Sequence, residues 1–280
     1  MPPKAVITAA TAGIGLETAK ELARRGFAVT VIGRDPQRGH QATAQIGGEA
    51  RFLRTDLASL HQVRALARKL TDEGPLDVLI NNVGAMFPRH QHIDGLEATF
   101  LVNHLSPYLL TELLLPVITG RIVNVTSAAV IAAKKNFDHT EPPGGYYAFH
   151  WYGRAKLANL AYTLDLSTRT NGITVIAADP GGAATDMTNG TMNDPNIVSP
   201  PLRLLWPLVK RTFARSTARP ATRAAQPSIT AATDPALTGR TQLLIGPNGT
   251  PTTPHRTALQ PHVIAAIRRL SEQHAPLEPS

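Results

Sequence analysis

Residues 4–25 of this chain read KAVITAATAGIGLETAKELARR, and they join two hydrophobic patterns through a short loop that contains glycine. The apolar run at 4–10 is typical of a buried strand, and the spacing of apolar residues over 13–25 predicts a helix. Gly13 and Gly15 let the backbone approach a pyrophosphate closely, and the N-terminus of the helix stabilises its negative charge. Because plain turn chemistry produces similar loops in many sheets, this loop indicates a dinucleotide site only together with other signals.

The loop at 8–15, TAATAGIG, departs from the usual glycine pattern at its second residue. Ala9 stands where the first glycine is usual, and a positive φ at that position would cost alanine about 1 kcal/mol. We therefore expect a slightly remodelled loop or somewhat weakened cofactor binding. The residues of the loop that we predict to bind the cofactor are Thr8, Ala10, Thr11, Gly13, Ile14 and Gly15.

Predicted strands and helices alternate along the whole chain. The strands lie at 4–10, 27–33, 50–54, 76–80, 120–126, 173–178 and 241–245, and the helices at 13–25, 36–46, 59–72, 94–116, 151–170, 218–232 and 261–274. This order predicts a Rossmann-type α/β fold, a doubly wound parallel sheet of seven strands with helices on both faces. The strands are continuous apolar runs, as expected when helices cover both faces. With no internal repeat and no linker, residues 1–280 are expected to form one domain.

The composition excludes several classes of protein. The chain has no cysteine, which rules out disulfides, thiolate zinc sites and a cysteine nucleophile and fits a reducing, cytoplasmic location. We find no signal peptide and no apolar stretch that approaches the roughly 18 residues needed to cross a bilayer. The net charge is +8, but the basic residues are scattered. This pattern predicts a solvated basic surface or, alternatively, attraction of anionic ligands, with neither nucleic acid nor membrane as a partner.

The end of the second predicted strand indicates which dinucleotide binds. Enzymes that use NAD usually place a carboxylate there, whereas this chain has Gly33 followed by Arg34. A guanidinium suits a ribose 2′-phosphate, which favours NADP(H), although Arg34 as a surface residue paired with Asp35 is the alternative. Asp56, after the third strand, is a candidate acceptor for the adenine amino group or, equally, a helix N-cap.

A series of further motifs stands at the ends of successive predicted strands and on the predicted helices. It comprises Asp56-Leu57, Asn81-Asn82-Val83-Gly84, Asn103, Ser127, Tyr152-Gly-Arg-Ala-Lys156, and Pro180-Gly181 with Thr185. Together with TAATAGIG, this order resembles the short-chain dehydrogenase/reductase family over nearly the whole chain, from Thr8 to about Gly246. The stretches VNHLSPYLLT, RIVNVTSAA and YGRAKLANL resemble most its retinol-dehydrogenase-like branch. Members of that branch often carry an N-terminal apolar anchor helix, which we do not find here.

The resemblance implies where a nicotinamide cofactor lies. Leu57, Asn82, Val83 and Gly84 would contact it, and Pro180, Gly181 and Thr185 would lie beside the nicotinamide; Thr185 as a plain loop residue is the alternative. Ala9 and Val83 stand where the family has Gly and more often Ala, and both keep a small, apolar character. We expect these two departures to change cofactor affinity more than cofactor identity.

Tyr152 and Lys156 are four residues apart on a predicted helix, so their side chains share one face. A nearby ammonium and the positive ring of an oxidised nicotinamide are expected to lower the phenol pKa from its ordinary value of about 10, which makes Tyr152 a candidate acid/base. Taken alone, the same spacing occurs by chance in exposed amphipathic helices. By resemblance, Lys156 also holds the nicotinamide ribose, Ser127 hydrogen-bonds the substrate oxygen, and Asn103 holds a water that relays protons to Lys156.

Two apolar segments are candidate walls of a substrate pocket. Residues 128–150 contain Phe137, His139, Tyr146, Tyr147, Phe149 and His150, and residues 186–217, a predicted lid, contain Met187, Met192, Leu202, Leu204, Leu205, Trp206, Leu208, Val209 and Phe213. They predict a hydrophobic ketone, aldehyde or secondary alcohol as substrate, unless they pack the core or a subunit contact instead. No histidine spacing typical of a metal site is seen, so no metal is predicted.

The motifs together predict an NADP(H)-dependent oxidoreductase that interconverts a hydrophobic ketone or aldehyde and its alcohol. A non-redox enzyme on the same scaffold (a dehydratase, epimerase or cyclase that uses Tyr152 as acid or base) is one alternative. A protein that senses NADP(H) without turnover is another. Members of the family are commonly dimers or tetramers, so a homodimer or homotetramer is expected, although the extra loops here lie where they can block the usual helix contacts.

Overall fold

The computed structural model describes residues 1–182, 193–217 and 219–278. Its strands are β1 (Lys4–Thr8), β2 (Ala28–Gly33), β3 (Arg51–Arg54), β4 (Leu76–Asn81), β5 (His92–Ile93), β6 (Leu96–Glu97), β7 (Ile118–Val125), β8 (Thr174–Ala178), β9 (Leu243–Ile245) and β10 (Pro251–Thr252). Its helices are α1 (Gly13–Arg24), α2 (Pro36–Ile46), α3 (Leu60–Asp72), α4 (Ala98–Phe100), α5 (Ser106–Leu114), α6 (Ala148–Arg169), α7 (Pro200–Leu204), α8 (Trp206–Thr217), α9 (Ala221–Ala224), α10 (Gln226–Thr233) and α11 (Pro261–His274).

The central sheet of the described residues has eight strands in the order β10-β9-β8-β7-β4-β1-β2-β3. The seven strands from β9 to β3 pair in parallel, which confirms the predicted sheet. The eighth strand, β10, pairs antiparallel with β9 and was not predicted, because it has two residues and begins at Pro251. The strand order reverses between β1 and β4, and ligands of such sheets bind at this point, beyond the carboxyl ends of the strands.

Each face of the sheet is covered by its own layer of helices. Along β1, Val6 packs into a core formed with α3, α5, α6 and α11, whereas Ala5 and Ile7 pack into a second core on the opposite face with α1 and α10. Side chains alternate in this way because successive residues of a strand point to opposite faces. Burial on both faces explains why β1 reads as a continuous apolar run.

The fourth predicted helix begins later than expected. The sequence predicts it from residue 94, but Asp94 and Gly95 have φ angles of 51° and 77° and form the turn between β5 and β6. A two-residue hairpin turn with positive φ at both positions is typical of the Asp-Gly pair, so the helix starts at Ala98. Glu97 caps it by accepting hydrogen bonds from the N–H groups of Thr99 and Phe100, both at 2.7 Å.

The helical stretch Ala98–Val117 corrects one further expectation. It has 20 residues, and an 18-residue window within it has a mean hydropathy of 1.2, so this stretch is long and apolar enough to span a bilayer by length and composition alone. The interspersed Asn103, His104 and Glu112 hide this property when the sequence is read for an unbroken apolar run. In the structure 72% of the apolar window is buried inside the fold, as in a core helix.

The predicted helix at 218–232 is also divided. Pro227 lies in the first turn of α10, and the residues before it form the short helix α9. Proline is tolerated there because the first N–H groups of a helix have no partner within the helix. The break at Ala225 allows α10 to pack against β7, β8 and β9 while α9 contacts α1.

Candidate active site

The loop after β1 lies at the point where the strand order reverses, as the sequence predicts. Ala9 has a φ of 51°, so the strain considered for this position is present in the fold. The side-chain amide of Asn82 donates to the carbonyl oxygens of Thr8 and Ala9, at 3.1 and 3.2 Å, and holds the loop in place. A Cβ on Gly15 would lie 2.5 Å from this amide nitrogen, so the loop can pack against Asn82 only if residue 15 is glycine.

The N-terminus of α1 suits an anionic group. Its N-cap residue is Ala12, which is exposed and offers no side-chain acceptor, and the first turn carries no acidic residue. Gly13 has a φ of 55° and turns the chain into the helix. The first N–H groups of α1 therefore lack a side-chain cap, which fits the pyrophosphate of a dinucleotide.

The predicted cofactor selector lies at the carboxyl end of β2. Gly33 is buried, and a Cβ there would lie 2.7 Å from Cγ2 of Thr11, while Arg34 is exposed. Asp35 caps α2 and accepts from the N–H of Arg38 at 3.2 Å, and the structure records no ion pair of Arg34 with it among the described residues. The alternative interpretation of Arg34 as the partner of Asp35 thus finds no support.

Two further predicted cofactor residues have structural partners of their own. The hydroxyl of Thr8 accepts from the N–H groups of Asn82 and Val83, at 2.9 and 3.2 Å, and so joins the ends of β1 and β4. Asp56 accepts from the N–H of Ala58 at 3.0 Å, whereas the N-cap of α3 is Ser59. The alternative of Asp56 as a helix N-cap is therefore wrong. Leu57 is buried at 8% exposure.

The structure brings Tyr152, Lys156 and Ser127 together around Gly84. A Cβ on Gly84 would lie 3.7 Å from both Nζ of Lys156 and the phenol oxygen of Tyr152. The side chain of Ser127 lies close enough to the Tyr152 phenol to interact with it, and Nζ of Lys156 lies 5.9 Å from the centre of the Tyr152 ring. A phenol and an amine from α6 and a hydroxyl from the residues after β7 thus converge beside the loop that follows β4.

Burial shifts the protonation equilibria of this pair. Lys156 is 2% exposed, its Nζ donates to the carbonyl oxygens of Val83 and Val125, both at 2.9 Å, and burial lowers its pKa to about 7. Burial raises the pKa of the Tyr152 phenol above its ordinary value, and the interaction with the Ser127 side chain opposes this only in part. The protein by itself therefore does not lower the phenol pKa as expected, because desolvation by burial is the largest contribution.

Asn103 lies in a π-helical segment, Leu101–Leu105, between α4 and α5. Its side-chain amide donates to the carbonyl oxygens of Ala85 and Thr99, at 2.7 and 2.8 Å, and accepts from the N–H of Ala85 at 3.0 Å. The side chain thus holds the loop after β4, which carries Val83 and Gly84. The water relay to Lys156 stays a prediction.

The turn after β8 adds an acidic group that the sequence analysis missed. The Asp179 carboxylate accepts from the N–H of Gly181 at 2.9 Å, and burial raises its pKa above its ordinary value. Pro180 is buried, and Gly181 has a φ of 66°, which suits glycine. Thr185, predicted to bind the cofactor, lies outside the described residues.

Arg154 is the second residue that the sequence analysis missed. It is 1% exposed, and its guanidinium donates to the carbonyl oxygens of Asn136, His139 and Thr140 at 2.5 to 2.9 Å. Its burial lowers the pKa of this guanidinium to about 10. A surface role is the ordinary expectation for arginine, and the signal available beforehand was its position between Tyr152 and Lys156 on a helix whose other residues are mostly apolar.

The residues of the two predicted pocket walls differ in their burial and contacts. Phe137 is 4% exposed under the guanidinium of Arg154, so it packs the core. His150 links both segments, since its Nδ1 bonds the carbonyl oxygen of Ala132 at 2.7 Å and its Nε2 accepts from the N–H of Ser199 at 3.2 Å. Among the lid residues whose burial the structure describes, Leu204, Leu205 and Leu208 are exposed. Met187 and Met192 lie outside the described residues.

Fold and site together define a class, a doubly wound α/β protein with an uncapped helix N-terminus and a tyrosine–lysine–serine group at the same sheet edge. Residues 3–196 match the family model described as short chain dehydrogenase, and the chain belongs to this family. A protein described as a short chain dehydrogenase/reductase family protein has a similar structure, with a TM-score of 0.66, 30% identity, and 88% of this chain and 97% of that chain covered. An uncharacterised protein from Mycobacterium paratuberculosis is 31% identical with a TM-score of 0.73, over 97% of this chain and 92% of that chain.

Relatives of assigned activity confirm the resemblance to the retinol-dehydrogenase-like branch. Retinol dehydrogenase 12 of Mus musculus is 37% identical over 221 residues, which cover 74% of this chain and 67% of that protein. Polyprenol dehydrogenase of Mus musculus is 37% identical, with 67% of this chain and 63% of that protein covered. Retinol dehydrogenase 13 of Homo sapiens is 40% identical, with 67% of this chain and 61% of that protein covered. The chain therefore spans about two thirds or less of the length of these relatives.

Proposed function

We propose that this protein is an NADP(H)-dependent oxidoreductase that interconverts a hydrophobic ketone or aldehyde and its alcohol. The observation that carries the proposal is the convergence of the Tyr152 phenol, the Ser127 hydroxyl and the Lys156 amine at Gly84, next to the uncapped end of α1. A substrate oxygen held by Ser127 there lies within reach of the phenol proton. The relatives named for retinol and polyprenol, both apolar alcohols, support a hydrophobic substrate.

The residues divide the work of the reaction. Ser127 hydrogen-bonds the substrate oxygen, and Tyr152 gives its proton to a carbonyl oxygen or takes one from an alcohol. Lys156, held by two carbonyl oxygens, places its amine beside Tyr152. A nicotinamide cofactor, when bound, exchanges a hydride with the substrate carbon. Burial keeps the phenol protonated, and this is the form that gives a proton to a carbonyl oxygen.

NADP(H) is favoured over NAD(H) by the end of β2. Residue 33 is a glycine and not a carboxylate, and the following Arg34 is exposed. Asp35 caps α2. A guanidinium in this place can form two charge-assisted hydrogen bonds with a 2′-phosphate, whereas it has no such partner on a free 2′-hydroxyl.

Substitution of Tyr152 tests the proposal directly. With NADPH and a series of lipophilic ketones and aldehydes, the wild-type protein should consume NADPH, and Tyr152→Phe should lose about 100-fold or more of kcat because it cannot give a proton. NADPH affinity, measured by calorimetry, should change little in this variant. Tyr108→Phe is the matched control, since Tyr108 lies in α5 and packs against Tyr162, outside the group of Tyr152, Ser127 and Lys156 (the Tyr152 group), and it should keep the rate. Equal rates in wild type and Tyr152→Phe would refute the role of Tyr152.

A further inference from the structure

Three side chains outside the Tyr152 group form a cluster typical of metal ligands. One ligand atom each from His90, His92 and Glu141 lies within 4.8 Å of the others. Nε2 of His90 is 3.3 Å from one carboxylate oxygen of Glu141, and Nε2 of His92 is 2.5 Å from the other. We propose that these three residues bind a divalent transition-metal ion of the zinc type.

The spacing of the ligand atoms fits a tetrahedral ion. Zinc binds imidazole nitrogen and carboxylate oxygen at about 2.0–2.1 Å, which places two ligands of one ion about 3.3 Å apart. The distance from His90 to one carboxylate oxygen of Glu141 has this value. His92 contacts the other oxygen, so the carboxylate must either offer both oxygens to the ion or turn, and the His92–Glu141 pair must separate by less than about 1 Å. His92, whose side chain is 47% exposed, has room to do so.

The backbone and the neighbouring rings hold the ligands in place before any ion binds. His92 belongs to β5, whose hairpin turn at Asp94 and Gly95 has positive φ at both residues. The ring of His90 stacks on Tyr146 at 5.3 Å and lies 5.1 Å from Trp151. Tyr146 in turn donates a hydrogen bond to the carbonyl oxygen of Phe87, at 2.5 Å, which fixes the segment that carries His90.

Access and ligand chemistry both favour a transition metal. The side chains of His90, His92 and Glu141 are 37%, 47% and 38% exposed, so an ion can enter from solvent and keep water in its fourth position. Two imidazoles and one carboxylate suit zinc and its neighbours in the transition series, whereas magnesium and calcium prefer oxygen ligands alone. The buried guanidinium of Arg154 is near enough to interact with the charge of Glu141, and this positive charge opposes the binding of a cation.

A bound ion would connect two segments that are distant in sequence. His92 and Glu141 are 49 residues apart; one belongs to the segment after β4 and the other to the segment before α6. The second segment is a candidate pocket wall, and Trp151, which contacts His90, precedes Tyr152. The ion would thus bind the segment 128–150 to the loop that follows β4. The proposal departs from the prediction of no metal, which rested on spacing within single motifs.

Calorimetry with Zn²⁺ on tag-free, chelator-treated and dialysed protein tests the site. The wild type should bind one Zn²⁺ per chain with a change in Trp fluorescence, since Trp151 lies beside His90. Glu141→Gln and His92→Asn should each weaken binding by about ten-fold or more, because even outer-shell changes have effects of that size. Both side chains are partly exposed, and circular dichroism checks that each variant is folded.

His139→Asn is the matched control, because His139 is exposed and lies two residues from Glu141 outside the cluster. It should bind Zn²⁺ as the wild type does. Saturating Zn²⁺ should raise the melting temperature of wild type and His139→Asn and leave that of Glu141→Gln nearly unchanged. The proposal would be overturned if the wild type did not bind Zn²⁺ stoichiometrically. It would also be overturned if Glu141→Gln and His92→Asn bound Zn²⁺ as tightly as the wild type does.

Discussion

Ala9 is the residue at which the loop after β1 stores backbone strain. Its φ of 51° lies in the left-handed region, where a Cβ is unfavourable. The hydrogen bonds from Asn82 to Thr8 and Ala9 hold this conformation against the strain. The residue therefore keeps the geometry that a glycine would adopt freely, at a local cost in stability.

Replacing Ala9 by glycine should stabilise the protein by up to about 1 kcal/mol, since the strain disappears and only part of the gain is offset by the greater freedom of glycine in the unfolded chain. Urea unfolding measures the change. Ala65→Gly, at an exposed position within α3, is the control with opposite sign and should destabilise by about 1 kcal/mol. A destabilised Ala9→Gly would contradict the interpretation of the loop as strained.

A second single residue, Lys156, makes the free energy of unfolding depend on pH. Its pKa falls from 10.5 to about 7 on folding, so between these values the unfolded chain binds the extra proton. The free energy of unfolding should therefore rise with pH above 7 and level off near pH 10. The slope from this group is at most about 1.4 kcal/mol for each pH unit between these values. Below pH 7 both states hold the proton, and the cost of burying the charge is fully present.

Comparison with Lys156→Met isolates this effect, because the other titrating groups are shared. The free energy of unfolding of the wild type relative to Lys156→Met should increase from pH 7 to 9, measured by urea unfolding at each pH. The range stops at pH 9 so that tyrosine ionisation in the unfolded chain does not contribute. A difference that is independent of pH would show that the amine does not change its proton affinity on folding.

At the scale of elements, α6 supplies more than Tyr152 and Lys156. It also carries Arg154, which ties the segment 136–140 to the helix through three carbonyl oxygens. The guanidinium is packed between the rings of Phe100 and Phe137, at 4.8 and 4.7 Å. One helix thus positions the acid/base and the adjacent wall segment together.

Arg154→Met should destabilise the protein by about 3 kcal/mol, because three carbonyl groups lose the buried guanidinium that donates to them at once. Hydrogen exchange should become faster at residues 136–140 in the same variant. Arg268→Met is the control, since Arg268 forms an exposed ion pair with Asp165 and its loss should cost less than about 1 kcal/mol. Unchanged exchange at 136–140 would show that Arg154 does not position this segment.

At the scale of the whole molecule, the sheet collects loops from across the chain at one edge. The loops after β1, β2 and β4 meet there because parallel strands all end on the same side. α1 presents its N-terminus at this edge, and α6 brings Tyr152 to it from the opposite face of the sheet. The proposed dinucleotide would cross the switch point between Arg34 and the Tyr152 group.

Cofactor preference follows from this arrangement. NADPH should bind more tightly than NADH, and Arg34→Ala should weaken NADPH binding by about ten-fold or more, the usual effect of losing charge-assisted hydrogen bonds. The affinity for NADH should differ by less than about two-fold between the wild type and Arg34→Ala, because NADH lacks the 2′-phosphate. Arg240→Ala, an exposed arginine in the turn before β9, is the control for loss of one positive charge. Equal affinity of the wild type for NADPH and NADH would refute the assignment of Arg34.

Much of the fold could be predicted from local patterns in the chain. Apolar runs separated by helical spacing are enough to predict seven parallel strands, because a strand covered on both faces needs an unbroken apolar run. The loop with Gly13 and Gly15 and the spacing of Tyr152 and Lys156 are also local features. One-domain organisation, the lid, the cytoplasmic location and the oligomeric state stay predictions.

Patterns within short stretches of the chain are enough to establish the architecture, the loop after β1 and the shared helical face of Tyr152 and Lys156. The three-dimensional fold is needed to establish the raised phenol pKa of Tyr152, the hydrogen bonds of the Asn103 amide, the burial of Arg154 and the contact of His92 with Glu141. These properties depend on desolvation and on hydrogen bonds between residues far apart in the chain, and neither can be predicted from the spacing of residues within a short stretch.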